Sequence, residues 1–146
     1  MSALSDYLEN KLIDFLFRAQ AFVPPATLYV GLETVNGSDA GAGTEVVGGS
    51  YARVAVASSL VNWAGTQAAG SVVASSGSSG LTSNNAVIQF PAPTADWGRP
   101  VGFAVFDAPA GGNMLFQNAL NVAKTINNGD AAPSFPVGAL TFQIDN

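Results

Sequence analysis

The 146-residue sequence predicts a mainly β fold: an antiparallel β-sandwich or jelly-roll-like barrel of about eight strands, preceded by one N-terminal amphipathic α-helix. Three observations predict it. Apolar residues recur at helical spacing only in the stretch 2–22. After Pro24 and Pro25 the period of the pattern shortens from about 3.6 to 2. The short apolar runs that follow are divided by Gly, Asn, Ser and Pro turns, leaving no segment long enough to be a crossover helix. Residues 1–23 therefore form the helical segment and residues 24–146 the β-sandwich, together one structural unit.

In the helical segment Leu4, Leu8, Leu12, Phe15, Leu16 and Ala19 share one stripe, while Asp6, Glu9, Asn10 and Lys11 lie largely off it. Ser2 or Ser5 can cap the start, and Asp6 and Glu9 suit the positive end of the helix dipole. Pro24 and Pro25 stop the helix, so it is expected to run about 15–18 residues, roughly 22–27 Å.

Residues 26–34, ATLYVGLET, alternate as a half-buried strand, with Leu28, Val30 and Leu32 on one face and Thr27, Tyr29 and Glu33 on the other. Residues 35–50 form a long Gly-rich loop or a loosely paired excursion. Strands are expected at 51–57, 59–64 and 68–74, followed by a flexible SSGSSG turn at 75–80. Residues 84–90 and 100–107 are strongly strand-like, APAGGN before Met114 is a hairpin loop, and 114–120 returns from it. Asn128–Gly129 is a hairpin signal. The last strand, 139–145, points Leu140, Phe142 and Ile144 inward. The expected core is Leu28, Val30, Leu32, Ile88, Phe103, Val105, Leu140, Phe142 and Ile144.

Composition narrows the function. Apolar residues make up 48% and charged residues 10%, against about 25% charged in an average soluble domain. A core of good size is available, and the surface must be covered by neutral polar residues. Such a surface suits close packing against neighbours and equally suits a neutral exported domain. The net charge is −5, and the basic residues Lys11, Arg18, Arg53, Arg99 and Lys124 are scattered, so no stripe exists to neutralise a run of phosphates. Neither nucleic acid nor membrane is an expected partner. The helical segment is interrupted by charge and reads as neither signal peptide nor membrane span, so the chain is expected to begin in a cytoplasm.

Chemistry is scarce. With no cysteine, disulfides and thiolate metal sites are excluded; with no histidine, so are a Ser–His–Asp triad and an imidazole metal site. Lys11 and Lys124 would need burial and partners to act as bases. Paired carboxylates of the glycosidase kind remain, drawn from Glu33, Asp39, Glu45, Asp96, Asp107 and Asp130. Each has a plainer role in a turn or a solvated loop. The Gly-rich loop lacks the spaced acidic pattern of a calcium loop, and no cofactor is expected. Trp97, in the run DWGR, could stack on a sugar or a partner protein, or plug the core while Asp96 and Arg99 satisfy a local turn.

The order of motifs is distinctive: P-x-T-x-Y-V-G-L from Pro25, E-V-x-G-G-S-Y-A-R from Glu45, N-N-A-V-I-Q-F-P-x-x-T-A-D-W-G from Asn84, F-D-A-x-x-G-G-N-x-L-F from Phe106 and K-T-I-N-N-G-D from Lys124. It resembles a family of small tailed-bacteriophage virion structural proteins, often labelled tail-fibre-like. The resemblance implies a non-enzymatic protein of the virion, assembled in the host cytoplasm. Its partners would be phage capsid or tail proteins, and it would be a homo-oligomer in the particle.

Capsid decoration, as a cement protein, is the reading the single short domain favours, because no stalk or coiled-coil heptads are present. A tail or tail-fibre component, with or without a carbohydrate-binding surface, is the alternative, and a carboxylate glycosidase ranks behind both. The interface residues expected are Leu4, Leu8, Leu12, Phe15, Leu16 and Trp97. The helical stripe has two surfaces that could receive it, an open end or face of its own sandwich and a neighbouring subunit.

Overall fold

The computed structural model describes residues 3–144 of the chain; the alternative helix cap Ser2 lies outside the described residues. A short strand β1 (Ala3–Leu4) leads into α1 (Asp6–Arg18), and the rest of the described chain is β-structure and turns. The main sheet is built from β2 (Thr27–Val35), β7 (Gly102–Phe106) and β8 (Met114–Ala119), with β1 on the outer edge of β8. The other edge of β2 is divided between two short strands. There β4 (Val54–Ala57) pairs with its first half and β3 (Thr44–Glu45) with its second. Every pairing is antiparallel.

A second layer consists of two small ribbons. One joins β5 (Leu81–Ser83) to β10 (Thr141–Gln143), the other β6 (Ile88–Gln89) to β9 (Ser134–Phe135). The alternation in β2 explains how the layers meet. Val30 and Leu32 face inward with Phe103 and Val105 of β7, and against them pack Ile88, Phe90, Leu140 and Phe142 of the second layer. Phe142 sits at the centre of an aromatic group, with ring centroids 5.2 Å from Phe116, 5.8 Å from Trp63 and 6.0 Å from Phe103. The fold is thus the expected antiparallel sandwich with an N-terminal helix.

Several elements differ from expectation. The helix is 13 residues long and ends well before the prolines. Ala19 turns left-handed at φ 54°, and the Gln20 amide closes back on the Asp14 carbonyl at 3.0 Å. Residues 59–64 and 68–74 are not strands. Ser59 starts a tight turn by accepting from the Asn62 amide, and Trp63 keeps a single bridge to Asn84. The stretch after it is a loop tied by side chains: Gln67 bonds Ser71 and the Ala74 carbonyl, and Thr66 bonds Gly77. Its valines, Val72 and Val73, are exposed.

Ile144, expected in the core, is 67% exposed, because β10 ends at Gln143 and Ile144 follows it at the rim of a hollow shared with Leu28, Trp63 and Phe116. The Asn128–Gly129 turn forms, with Gly129 at φ 81°, yet it joins no paired strands. Instead it clasps the segment before Trp97: the Gly129 amide bonds the Pro93 carbonyl, and the Asn128 amide bonds the Asp96 carboxylate at 2.8 Å.

Candidate functional site

The helix is tied to the body at one end. The Ser5 hydroxyl accepts from the Leu8 amide at 3.2 Å and donates to the Met114 carbonyl at 2.5 Å, while the Ser5 amide bonds the Leu115 carbonyl. Ser5 therefore caps the helix and pins it to β8 at once. Leu8 is buried there, and Leu4 and Leu12 are half-buried.

Beyond Leu12 the helix leaves the protein surface. Phe15 is 51% exposed and Leu16 67%, and so are their neighbours Ile13 at 51% and Phe17 at 81%. The stripe is thus divided: its first half seals the helix to its own sheet and its second half is bare. Ile13 and Phe17 were not on the predicted stripe. At 3.6 residues per turn, Leu12, Ile13, Phe15, Leu16 and Phe17 together cover an arc of roughly 200°. The charged pair Asp14–Arg18, 2.7 Å apart, occupies the remaining sector. A stripe of about 100° is enough to lie on a flat surface, so this end of the helix is shaped for a concave one.

Trp97 is placed differently from the other interface candidates. It is 3% exposed and stands edge-on to Tyr51 at 5.2 Å inside the core, because the Asn128 turn holds its segment down. Its ring therefore cannot be presented to a sugar or a partner protein.

The carboxylates have structural work. Glu33, on the outer face of β2, is fully buried and accepts from the amides of Gly37 and Gly43 at 3.1 and 2.8 Å, folding the Gly-rich loop around itself. Residues 35–50 are thus the loosely paired excursion of the two alternatives: Thr44–Glu45 pairs with β2 across a register shift, and Ser38 bridges Gly41. Glu45 receives Nε and one terminal nitrogen of Arg53 at 2.9 and 2.8 Å. The guanidinium of Arg53 lies 3.4 Å from the Phe106 ring centre and donates on to the carbonyls of Ala108 and Gly111. The Tyr51 hydroxyl donates to Glu45 at 2.8 Å and accepts from the Leu32 amide. A side chain at Gly31 would strike this group, its Cβ falling 2.8 Å from Glu45 Oε1.

Burial pushes the Tyr51 hydroxyl well above its usual pKa; the Leu32 amide offsets part of this and the bond to Glu45 adds to it. Asp107 accepts twice from Asn113 within the hairpin loop, and Asp130 accepts from the Asn127 amide. Asp39 is exposed, with its carbonyl receiving the Asp6 amide. Lys11 rests 5.7 Å from the Tyr7 ring and Lys124 is exposed. Among the described residues no group of three or more acids is gathered as a metal site.

A groove opens at the end of the sandwich away from Ser5. Its main hollow, about 370 Å³, is floored by Leu32, Phe90, Leu120, Ile126 and Phe135, with Lys124 and Asp130 also on its wall. A second hollow of about 260 Å³ adjoins it through Leu120, Val122 and Phe135. No residue of the helix lines either one.

No helix among the described residues is long and apolar enough to cross a membrane. No curated protein matches the chain. A family of phage virion proteins does, with its model aligned over residues 3–143, nearly the whole sequence. The family's description names a fibre protein. The projecting helix, the aromatic core and the latched sheet edge thus sit in a chain that belongs to the family described as Podophage GP4 fiber I protein gp80.

Proposed function

We propose that the protein is a non-enzymatic component of the phage tail fibre, held in the virion by docking of its projecting helix on a neighbouring subunit. The family supports the fibre station, and capsid decoration, the reading favoured by the short single domain, ranks second to it. The observation that carries the docking is the exposure of Ile13, Phe15, Leu16 and Phe17 at the end of a helix whose base is pinned by Ser5. Large apolar side chains grouped this way in water mark an interaction surface. A structural role also accounts for the carboxylates, since Glu33, Glu45, Asp96, Asp107 and Asp130 all serve as internal hydrogen-bond acceptors.

Cryo-electron microscopy of intact particles tests the station. Density for this sandwich on the tail fibres is the expected result. Density on the capsid surface would replace the fibre reading with decoration. Hydrolysis of a host glycan, abolished by neutralising one of the named acids, would replace the structural reading altogether.

A further inference from the structure

We infer that the projecting helix docks in the end groove of a second copy of this chain, joining the copies head to tail. The inference rests on the helix being a docking element, as proposed above, and names what receives it.

The helix end and the groove are complementary in four ways. First, the helix end carries large apolar side chains standing clear of the body, and the groove is a concave receiver for such side chains, with an apolar floor of Leu32, Phe90, Leu120, Ile126 and Phe135. Second, the size fits: 370 Å³ falls in the range of pockets that enclose a small ligand, which is room for large side chains such as Leu16 and Phe17 but not for a whole helix. Third, the charges match. Lys124 and Asp130 offer one charge of each sign beside the groove, and the exposed Asp14–Arg18 pair offers the same on the helix. Laid beside the groove, the helix end can set Asp14 towards Lys124 and Arg18 towards Asp130, each charge against its opposite.

Fourth, the chain cannot satisfy itself. The helix base is tied at Met114 and Leu115, whereas the groove is lined by the other end of β8 and the segment beyond it, Ala119 to Lys124. Both surfaces are left open in one copy and are covered together when two copies meet.

Such a contact is heterologous: each copy presents a helix to one neighbour and a groove to another. It closes into a ring or continues as a filament, depending on the rotation between copies. The patch is small, so the isolated contact should be weak, with Kd on the order of 0.1 mM. Multiple contacts in the assembled fibre would strengthen it.

Sedimentation velocity on the full chain over a concentration series tests this with two variants. L16D/F17D spoils the helix end and V122D spoils the groove; all three positions are exposed, so folding should be retained, as circular dichroism will verify. The wild type should self-associate, and each variant alone should remain monomeric. An equimolar mixture of the two should form a dimer and nothing larger, because it contains one intact helix and one intact groove.

A wild type monomeric up to about 1 mM would overturn the inference. So would V122D associating like the wild type, or a mixture that stays monomeric when the wild type associates. None of these outcomes depends on where the protein sits in the virion, which the particle density decides separately.

Discussion

The Tyr51 hydroxyl lies 2.9 Å from the Leu32 amide and so closes a gap in the main sheet. The edge of β2 is covered by β4 as far as Val30 and by β3 from Glu33, and Leu32 falls between them. The Leu32 carbonyl takes the Val46 amide and its amide takes the Tyr51 hydroxyl, which in turn donates to Glu45. One phenol thereby completes the ladder and joins it to the Glu45–Arg53 latch. Removing it with Tyr51→Phe should cost about 1–3 kcal/mol, because a buried amide and a carboxylate oxygen each lose a partner. Urea unfolding of the two proteins measures this, and a loss under 0.5 kcal/mol would mean the gap is closed by something else.

The same residue sets an alkaline limit. Its folded pKa is raised, so the stability it contributes is complete below its unfolded value, about 10, and is lost as pH climbs through the folded value. Wild-type stability should therefore fall above about pH 10 more steeply than that of Tyr51→Phe. Parallel curves for the two proteins would contradict the buried, neutral phenol.

Arg53 binds three separate pieces of chain: Glu45, the face of Phe106, and the carbonyls of the 107–113 hairpin loop. Arg53→Ala leaves Glu45 half-buried and unpaired and should cost about 2–4 kcal/mol. Amide exchange should quicken in the hairpin loop, whose Ala108 and Gly111 carbonyls are no longer held. Arg53→Lys should recover only part of the loss, since an ammonium cannot match the paired oxygens of Glu45 while lying on Phe106. Unchanged exchange in the loop would show that Asp107 and Asn113 hold it unaided.

The helix termini offer a pair of opposite changes. Ala19 occupies the left-handed region at φ 54°, where an L-residue carries about 1–2 kcal/mol of strain. Ala19→Gly should raise stability by about 0.5–1 kcal/mol after the added flexibility of the unfolded chain is counted. Ser5→Ala removes the cap and the bond to Met114, and should lower stability by about 1–2 kcal/mol. Thermal melts of the two variants should move in opposite directions.

Core and helix end should separate stability from assembly. Phe142→Ala opens a hole beneath Phe103, Phe116 and Trp63 and should cost about 3–5 kcal/mol. Phe17→Ser, at a site 81% exposed, should change stability by less than about 0.5 kcal/mol. A large loss from Phe17→Ser would mean that the helix end supports its own fold.

Periodicity made the centre of this fold legible. The alternation through Leu28, Val30 and Leu32 and the hairpin around Asp107–Asn113 carry their own local signals, and the structure has both. What periodicity could not show was coverage of the second face. Tyr29, Gly31 and Glu33 alternate like a solvated face, yet Glu33 is buried because the loop from Gly37 to Gly43 folds over its carboxylate. That packing joins residues distant in sequence through side-chain chemistry, which leaves no period. Val72 and Val73 erred the other way: two valines suggest a strand, but among the described residues no strand pairs with them. In the helix the stripe was readable, while its division into a sealed half and a bare half depended on where Ser5 anchors it. Ile13 and Phe17 were the available signal, two large apolar residues beside a stripe that already had its share.

The occupancy of the protein in purified virions, measured by quantitative mass spectrometry for phage encoding L16D/F17D, tests the central claim most directly. The variant should accumulate as folded protein in infected cells and be missing from the particles. Wild-type occupancy of the folded variant would contradict attachment through the helix.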